Sequence, residues 1–178
     1  MKAFSIWITG ISGAGKTTLA NNINVILNSN QYKSITLDGD EVRKKMNKDL
    51  GFSIKDRDEN IRRIACMSEL LSHQNLITIV SVISPMKNQR TYARDIYGDD
   101  FNEVYLKASL DQCIKKDIKG LYKLALDRKE TDFTALTSPY EEPKNPDLMI
   151  DASINNAKQA TQILIDFLQK KYSLKLKP

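Results

Sequence analysis

One run constrains this chain more than any other: Gly10-Ile11-Ser12-Gly13-Ala14-Gly15-Lys16-Thr17, set directly after the apolar stretch from Phe4 to Ile8. It satisfies G-x-x-x-x-G-K-[ST], with a strand pattern before it and a helix pattern after it. The glycines let the backbone curl until several N–H groups converge on phosphate oxygens, and the following helix adds the positive end of its dipole. On this reading Gly10, Ser12, Gly13, Ala14, Gly15, Lys16, Thr17 and Thr18 hold the phosphates of a nucleoside triphosphate. Lys16 reaches the β- and γ-phosphates, and the Thr17 hydroxyl is a ligand for Mg²⁺.

Apolar runs and helical patterns alternate down the rest of the chain, which predicts an α/β fold: a parallel sheet with helices on both faces. Strands are expected at 5–9, 34–37, 77–82, 103–106 and 148–150. Helices are expected at 16–28, 40–46, 54–73, 87–96, 110–116, 121–126 and 156–171. The last carries Ala157, Ala160, Ile163, Leu164, Phe167 and Leu168 at three-to-four spacing, a stripe that faces a core. One stretch departs from the alternation. Residues 127–146 are polar, contain Pro139, Pro143 and Pro146, and are too long for a plain connection, as lids often are.

The 178 residues suit one domain, able to bury about 70% of its unfolded surface. No apolar run is long enough to span a membrane, and Met1-Lys2-Ala3-Phe4 leads at once into the first strand, leaving no room for a signal peptide. Cys66 and Cys113 lack metal or disulfide spacing and read as thiols in a reducing cytoplasm. The net charge of +5 gathers in the tail, at Lys170, Lys171, Lys175 and Lys177. With no basic stripe interleaved with aromatics, it argues for a solvated end over nucleic-acid binding.

Candidate chemistry clusters where strands end, since ligands of open α/β sheets sit at the carboxyl edge. The second strand ends in Asp38-Gly39-Asp40, followed by Arg43. A carboxylate at Asp38 can hold Mg²⁺, directly or through water, or accept the proton of an attacking hydroxyl; Asp40 suits a helix cap. Further on, Ser53 and Asp56 have capping-box spacing at the start of a long helix. Arg57, Ile61, Ile64 and Ser68 share one stripe of that helix with Asn60 beside it, so Arg57 and Asn60 extend the buried face. An inward arginine needs an anion: a substrate phosphate or sulfate, or an aspartate in a structural ion pair. Phe52, just before the cap, has no apolar partner at position 57, which leaves it free for another surface such as a nucleobase. Ser84, after the third strand, is either a nucleophile or a turn residue whose backbone N–H groups hold a substrate. With no base nearby in the sequence, the turn reading is the better supported.

Taken together these blocks resemble the adenylylsulfate (APS) kinases, P-loop enzymes of sulfate activation. The resemblance covers roughly residues 4–152. It rests on residues 10–18, Leu37-Asp38-Gly39-Asp40-x-Val42-Arg43, residues 47–53, Asp56-Arg57-x-Glu59-Asn60-Ile61-Arg62-Arg63, Ile83-Ser84-Pro85, Asp117-x-Lys119-Gly120-Leu121-Tyr122, Phe133-Thr134 and Pro139-Tyr140-Glu141. It implies a three-layer P-loop NTPase fold with sheet order 2-3-1-4-5, a lid over about 127–143, and a homodimer. The implied reaction moves the ATP γ-phosphate to the ribose 3′-hydroxyl of APS. Asp38 matches the catalytic aspartate. Arg43, Arg57 and Asn60 match residues that hold the phosphosulfate end and ribose, and Phe52 and Phe133 an aromatic pair around the adenine. Ile83 and Ser84 match a turn that contacts APS, and Lys119 a basic residue beside it. In some bacterial members the equivalent of Ser84 has been proposed to carry phosphate, so Ser84 stands with Asp38 and Lys16 as a catalytic candidate.

The chain departs from the family pattern around the lid. Phe-Thr-Gly-Ile is Phe133-Thr134-Ala135-Leu136, Ser-Pro-[YF]-Arg is Ser84-Pro85-Met86-Lys87, an arginine is Lys116, and Gly-Glu is Arg128-Lys129. Two other readings are a relative that phosphorylates another nucleotide, such as a substituted cytidine diphosphate, and a nucleotide-dependent switch without an acceptor.

Overall fold

The computed structural model describes residues 3–117, 120–127 and 133–177. Among them five parallel strands, β1 (Ser5–Thr9), β2 (Ser34–Asp38), β3 (Ile77–Ser81), β4 (Phe101–Lys107) and β5 (Leu148–Asp151), form one sheet in the order β2-β3-β1-β4-β5. Every residue of β1 and β3 is buried, which is why both are runs of β-branched and aromatic residues broken only by a terminal serine, Ser5 or Ser81: helices cover both faces. Side chains alternate across β1 accordingly. Ile6 and Ile8 pack with Leu19 and Ile23 of α1 (Lys16–Ser29) and Leu164 of α7 (Ala157–Tyr172). Trp7 points the other way, into a core with Ile61 and Ile64 of α3 (Ile54–Ser72) and Ala93 of α4 (Lys87–Tyr97). Among the described residues the remaining helices are short: α2 (Gly39–Lys45), α5 (Leu110–Lys116), α6 (Leu121–Asp127) and a 3₁₀ turn at Gly98–Asp100. The expected topology and layers are those observed.

β4 starts two residues before the sequence reading places it. Asn102 and Glu103 are polar yet lie in a buried strand, because each has a partner: the Asn102 amide donates to Ser5 O at 2.8 Å, and Glu103 pairs with Arg90.

The tail is a correction. Residues 173–177 are not a solvated end: Leu174 and Leu176 are buried in the α1–α7 core, while Lys175 and Lys177 face out. Lys175 N donates to Tyr32 Oη at 3.0 Å, and Lys177 exchanges 3.0 Å hydrogen bonds with the Asn30 side chain. Truncating either leucine to alanine is expected to lower stability by about 2 kcal/mol, read from urea unfolding. A loss below 0.5 kcal/mol at both positions means the tail is not part of the core. Among the described residues no helix is long and apolar enough to cross a membrane.

Candidate active site

β1 delivers the phosphate loop at the centre of the sheet's carboxyl edge. Gly10 is required there twice over: its φ is +151°, and a Cβ would come within 2.5 Å of Leu106 O. Lys16 Nζ donates to Ile11 O at 2.7 Å, arching over the loop whose phosphates it is expected to meet. Tyr122 braces the loop from α6, its buried hydroxyl donating to Ser12 O at 2.8 Å. That role was not legible beforehand, although the Asp117-to-Tyr122 block was. The Asp117 carboxylate accepts from the backbone N–H groups of Tyr122 and Lys123 and so sets the start of α6.

Asp38 ends β2 opposite Ser81 of β3. Its two oxygens do different things. Oδ2 accepts from the Thr17 hydroxyl at 2.7 Å, and Oδ1 accepts from the N–H groups of Asp40 and Glu41, capping α2. The cap is thus Asp38, and Asp40 sits in the first turn behind it. Gly39 lets the strand turn into the helix at this spot, for a Cβ there would meet Val82 Cγ1 at 2.8 Å. Thr17 and Asp38 form a pair of hard oxygen donors beside the phosphate loop, a set that suits Mg²⁺ shared with substrate phosphates. Among the described residues no group of three or more His, Cys, Asp or Glu could cage a metal by itself.

The second wall comes from α3 and the loop before it. Ser53 caps α3, accepting from Asp56 N at 3.2 Å and donating to Asp56 Oδ2 at 2.7 Å, as the capping-box spacing suggests. Phe52 is 60% exposed; its ring lies 4.8 Å from the Arg43 guanidinium and 5.9 Å from that of Arg57. Its partners are therefore the two cations rather than an apolar staple. Arg43 also donates to Gly51 O at 2.6 Å; burial pulls its pKa down, with Asp56 and Asp40 opposing, and it remains a cation. Arg57 Nε donates to Phe52 O at 2.8 Å, and Nη1 donates to Thr134 Oγ1. Asn60 is buried and accepts from Asn47 Nδ2 at 2.9 Å. Arg63 clasps the Asp49 carboxylate at 2.7 and 2.8 Å, tying the loop that carries Phe52 to α3.

Ser84 sits in a turn with φ +38°. Its hydroxyl accepts from Trp7 Nε1 at 3.1 Å and donates to Thr9 Oγ1 at 3.0 Å, and the residue is 1% exposed. Its hydroxyl partners among the described residues are Trp7 and Thr9, neither of them a base, and it is buried, so the geometry favours the turn reading over a phosphate carrier. Thr9 in turn donates to Ile83 O at 2.6 Å and meets Tyr140 Oη at 3.0 Å; burial pushes the Tyr140 phenol up to about 12, keeping it a neutral donor. On the lid side, Phe133 packs against Tyr122 with ring centroids 4.9 Å apart. Ala135 holds φ +68°, so the turn keeps a left-handed backbone without a glycine. Lys119 and the Arg128-Lys129 departure lie outside the described residues.

Between Phe52, Arg57, Pro85 and Thr134 the cavity measures only about 20 Å³. A larger one of about 410 Å³, beside Arg94, Gly98, Asp147 and Lys171, opens near the start of β4, away from the carboxyl edge and from every candidate residue.

A parallel 2-3-1-4-5 sheet, a phosphate loop on its first strand and an aspartate on the next strand edge together define a P-loop kinase. The adenylylsulphate kinase family model matches residues 2–151. An adenylyl-sulfate kinase of Bacillus velezensis is 44% identical over 169 residues, 94% of this chain and 86% of that one. One of Halothermothrix orenii is 42% identical over 170 residues, 96% of this chain and 91% of that one. The Mycobacterium tuberculosis APS kinase, solved in complex with AMPPNP and APS, superposes with a TM-score of 0.90 at 37% identity, covering 94% of this chain and 98% of that chain. The chain belongs to the adenylylsulphate kinase family, enzymes that transfer phosphate to a hydroxyl.

Proposed function

We propose that this chain transfers the γ-phosphate of ATP to the ribose 3′-hydroxyl of APS, giving 3′-phospho-APS and ADP. The observation that carries the reading is the contact between Thr17 and Asp38, which joins the phosphate loop to the carboxylate edge where an acceptor hydroxyl must arrive. Catalysis in phosphoryl transfer is mostly positioning and charge neutralisation. Lys16 leaves Ile11 O to meet the β,γ-bridge, and the loop amides hold the other phosphate oxygens. Thr17 and Asp38 would hold Mg²⁺, which neutralises charge on the β- and γ-phosphates when bound with ATP. Asp38 accepts a hydrogen bond from the 3′-hydroxyl and aims its lone pair at the γ-phosphorus.

APS itself is held by Arg43, Arg57 and Asn60 at its phosphosulfate and ribose, and by Phe52 at the base. In the absence of APS the Arg57 guanidinium donates to Thr134 Oγ1, and APS takes that donor from Thr134 as it binds. Phe133 then leaves Tyr122 to close over the base, with Lys119 beside the substrate. Arg57→Ala is expected to raise the KM for APS between about 10- and 100-fold, the value of a charge-assisted hydrogen bond, with the KM for ATP within twofold. An unchanged APS affinity removes Arg57 from the site.

We further infer one P-loop kinase domain working in the cytoplasm as a homodimer; resemblance to the family supports the domain and the dimer, and the free thiols of Cys66 and Cys113 suit a reducing compartment. The decisive experiment is an ADP-release assay with Mg·ATP and APS, the product identified by mass. Micromolar APS converted to its 3′-phosphorylated form supports the proposal. Turnover of another nucleotide and none of APS overturns it.

A further inference from the structure

We infer that Arg90 is a positioning residue for the acceptor: it sets the spacing between the turn at 84–86 and the chain that returns from the lid. The inference rests on the proposed acceptor site, but its geometry stands apart from it. Arg90 is 4% exposed, and its guanidinium joins three segments far apart in sequence. Nε pairs with Glu103 Oε1 of β4 at 2.9 Å, Nη1 donates to Ser84 O at 2.8 Å, and Nη2 donates to Glu141 O at 2.6 Å.

Two further bonds make the turn and the returning chain one unit. Glu141 N donates to Pro85 O at 2.8 Å, and Lys87 N donates to Glu141 Oε2 at 2.6 Å. Tyr140, just before, lies under the guanidinium, 5.9 Å from its ring centroid to Cζ, and reaches Thr9 beside the phosphate loop. The turn supplies Pro85 and Met86 to the small cavity facing Arg57; the returning chain supplies Ser138 and Pro139. Arg90 therefore fastens to β4 the unit that lines the side of the cavity facing Arg57.

A role in stability alone does not account for this choice. A buried ion pair recovers its desolvation cost poorly, and an apolar pair of similar volume commonly serves a core as well. What an apolar pair cannot do is hold two carbonyls and a carboxylate in one plane. That is a property of the rigid guanidinium fork, which lysine, with one flexible ammonium, lacks.

The test is Arg90→Lys, which keeps the charge beside Glu103 but cannot bond both carbonyls, alongside the apolar double variant Arg90→Met/Glu103→Leu, which leaves no unpaired charge in the core. Both are expected to raise the KM for APS at least tenfold and to leave the KM for ATP within twofold. The N–H of Glu141 should exchange with solvent at least tenfold faster in both. If either variant folds and keeps a normal KM for APS, Arg90 is only structural and the inference fails. Wild-type enzyme in the same assay separates the two claims. If it does not turn over APS, the functional reading fails, and the inference is decided by exchange at Glu141, which needs no substrate; unchanged exchange overturns it.

Discussion

Replacing Asp38 by alanine is expected to cut turnover about 10³-fold while ATP still binds. The magnitude follows from what a positioned carboxylate contributes when it orients or accepts a proton in the transition state, on the order of 10² to 10⁴. Its two oxygens allow that role to be separated from folding. Oδ1 caps α2, so alanine also costs about 1 kcal/mol of stability, whereas asparagine caps as well as aspartate and should cost almost none. Oδ2 faces the Thr17 hydroxyl, and there asparagine can present an amide nitrogen instead of an anion. Asp38→Asn should therefore melt with the wild type yet share the catalytic loss of Asp38→Ala. Single-turnover phosphoryl transfer with saturating ATP and APS measures the effect directly. Residual activity within tenfold of wild type in the asparagine variant would refute the catalytic role and leave Asp38 as a helix cap.

That division between chemistry and folding marks what the sequence could and could not disclose. The alternation of apolar runs with amphipathic stretches was enough for the sheet, because strands buried on both faces, such as Ile77 to Ser81, carry no competing pattern. The phosphate loop was equally plain, since only glycine tolerates the backbone at Gly10. The tail misled because four lysines outweigh two leucines in composition, although Leu174 and Leu176 alternate with Lys175 and Lys177 as a half-buried extended segment does. Ser84 was legible only as a choice between two roles, of which the turn was the better supported. Whether a hydroxyl is a nucleophile or a rivet depends on its partners, and Trp7 and Thr9 are distant in sequence. Arg90 gave no local signal at all, because Ser84, Glu103 and Glu141 meet it only once the sheet has brought α4, β4 and the returning chain together.

Lys16→Ala carries the other large effect: kcat/KM for ATP should fall about 10³-fold, most of it in kcat. The loop amides and the α1 dipole remain in this variant and continue to attract the triphosphate, so ground-state binding suffers less than the transition state. Charge moves onto the β,γ-bridge only as the γ-phosphoryl departs, and a preorganised cation at that point is worth about 10² to 10³ in rate. The structure supplies the preorganisation. Lys16 is buried, and its Nζ is already held over the loop by Ile11 O, so little rearrangement separates its resting position from the phosphates. Lys16→Arg tests whether charge alone suffices. A planar fork has different reach and donor directions from a compact ammonium, so arginine should recover less than tenfold of the loss. Equilibrium ATP binding, set beside single-turnover rates, separates the two contributions. If alanine weakens ATP binding about 10³-fold while saturating ATP reacts at the wild-type rate, Lys16 is a tether for the substrate and the electrostatic account of the loop is wrong.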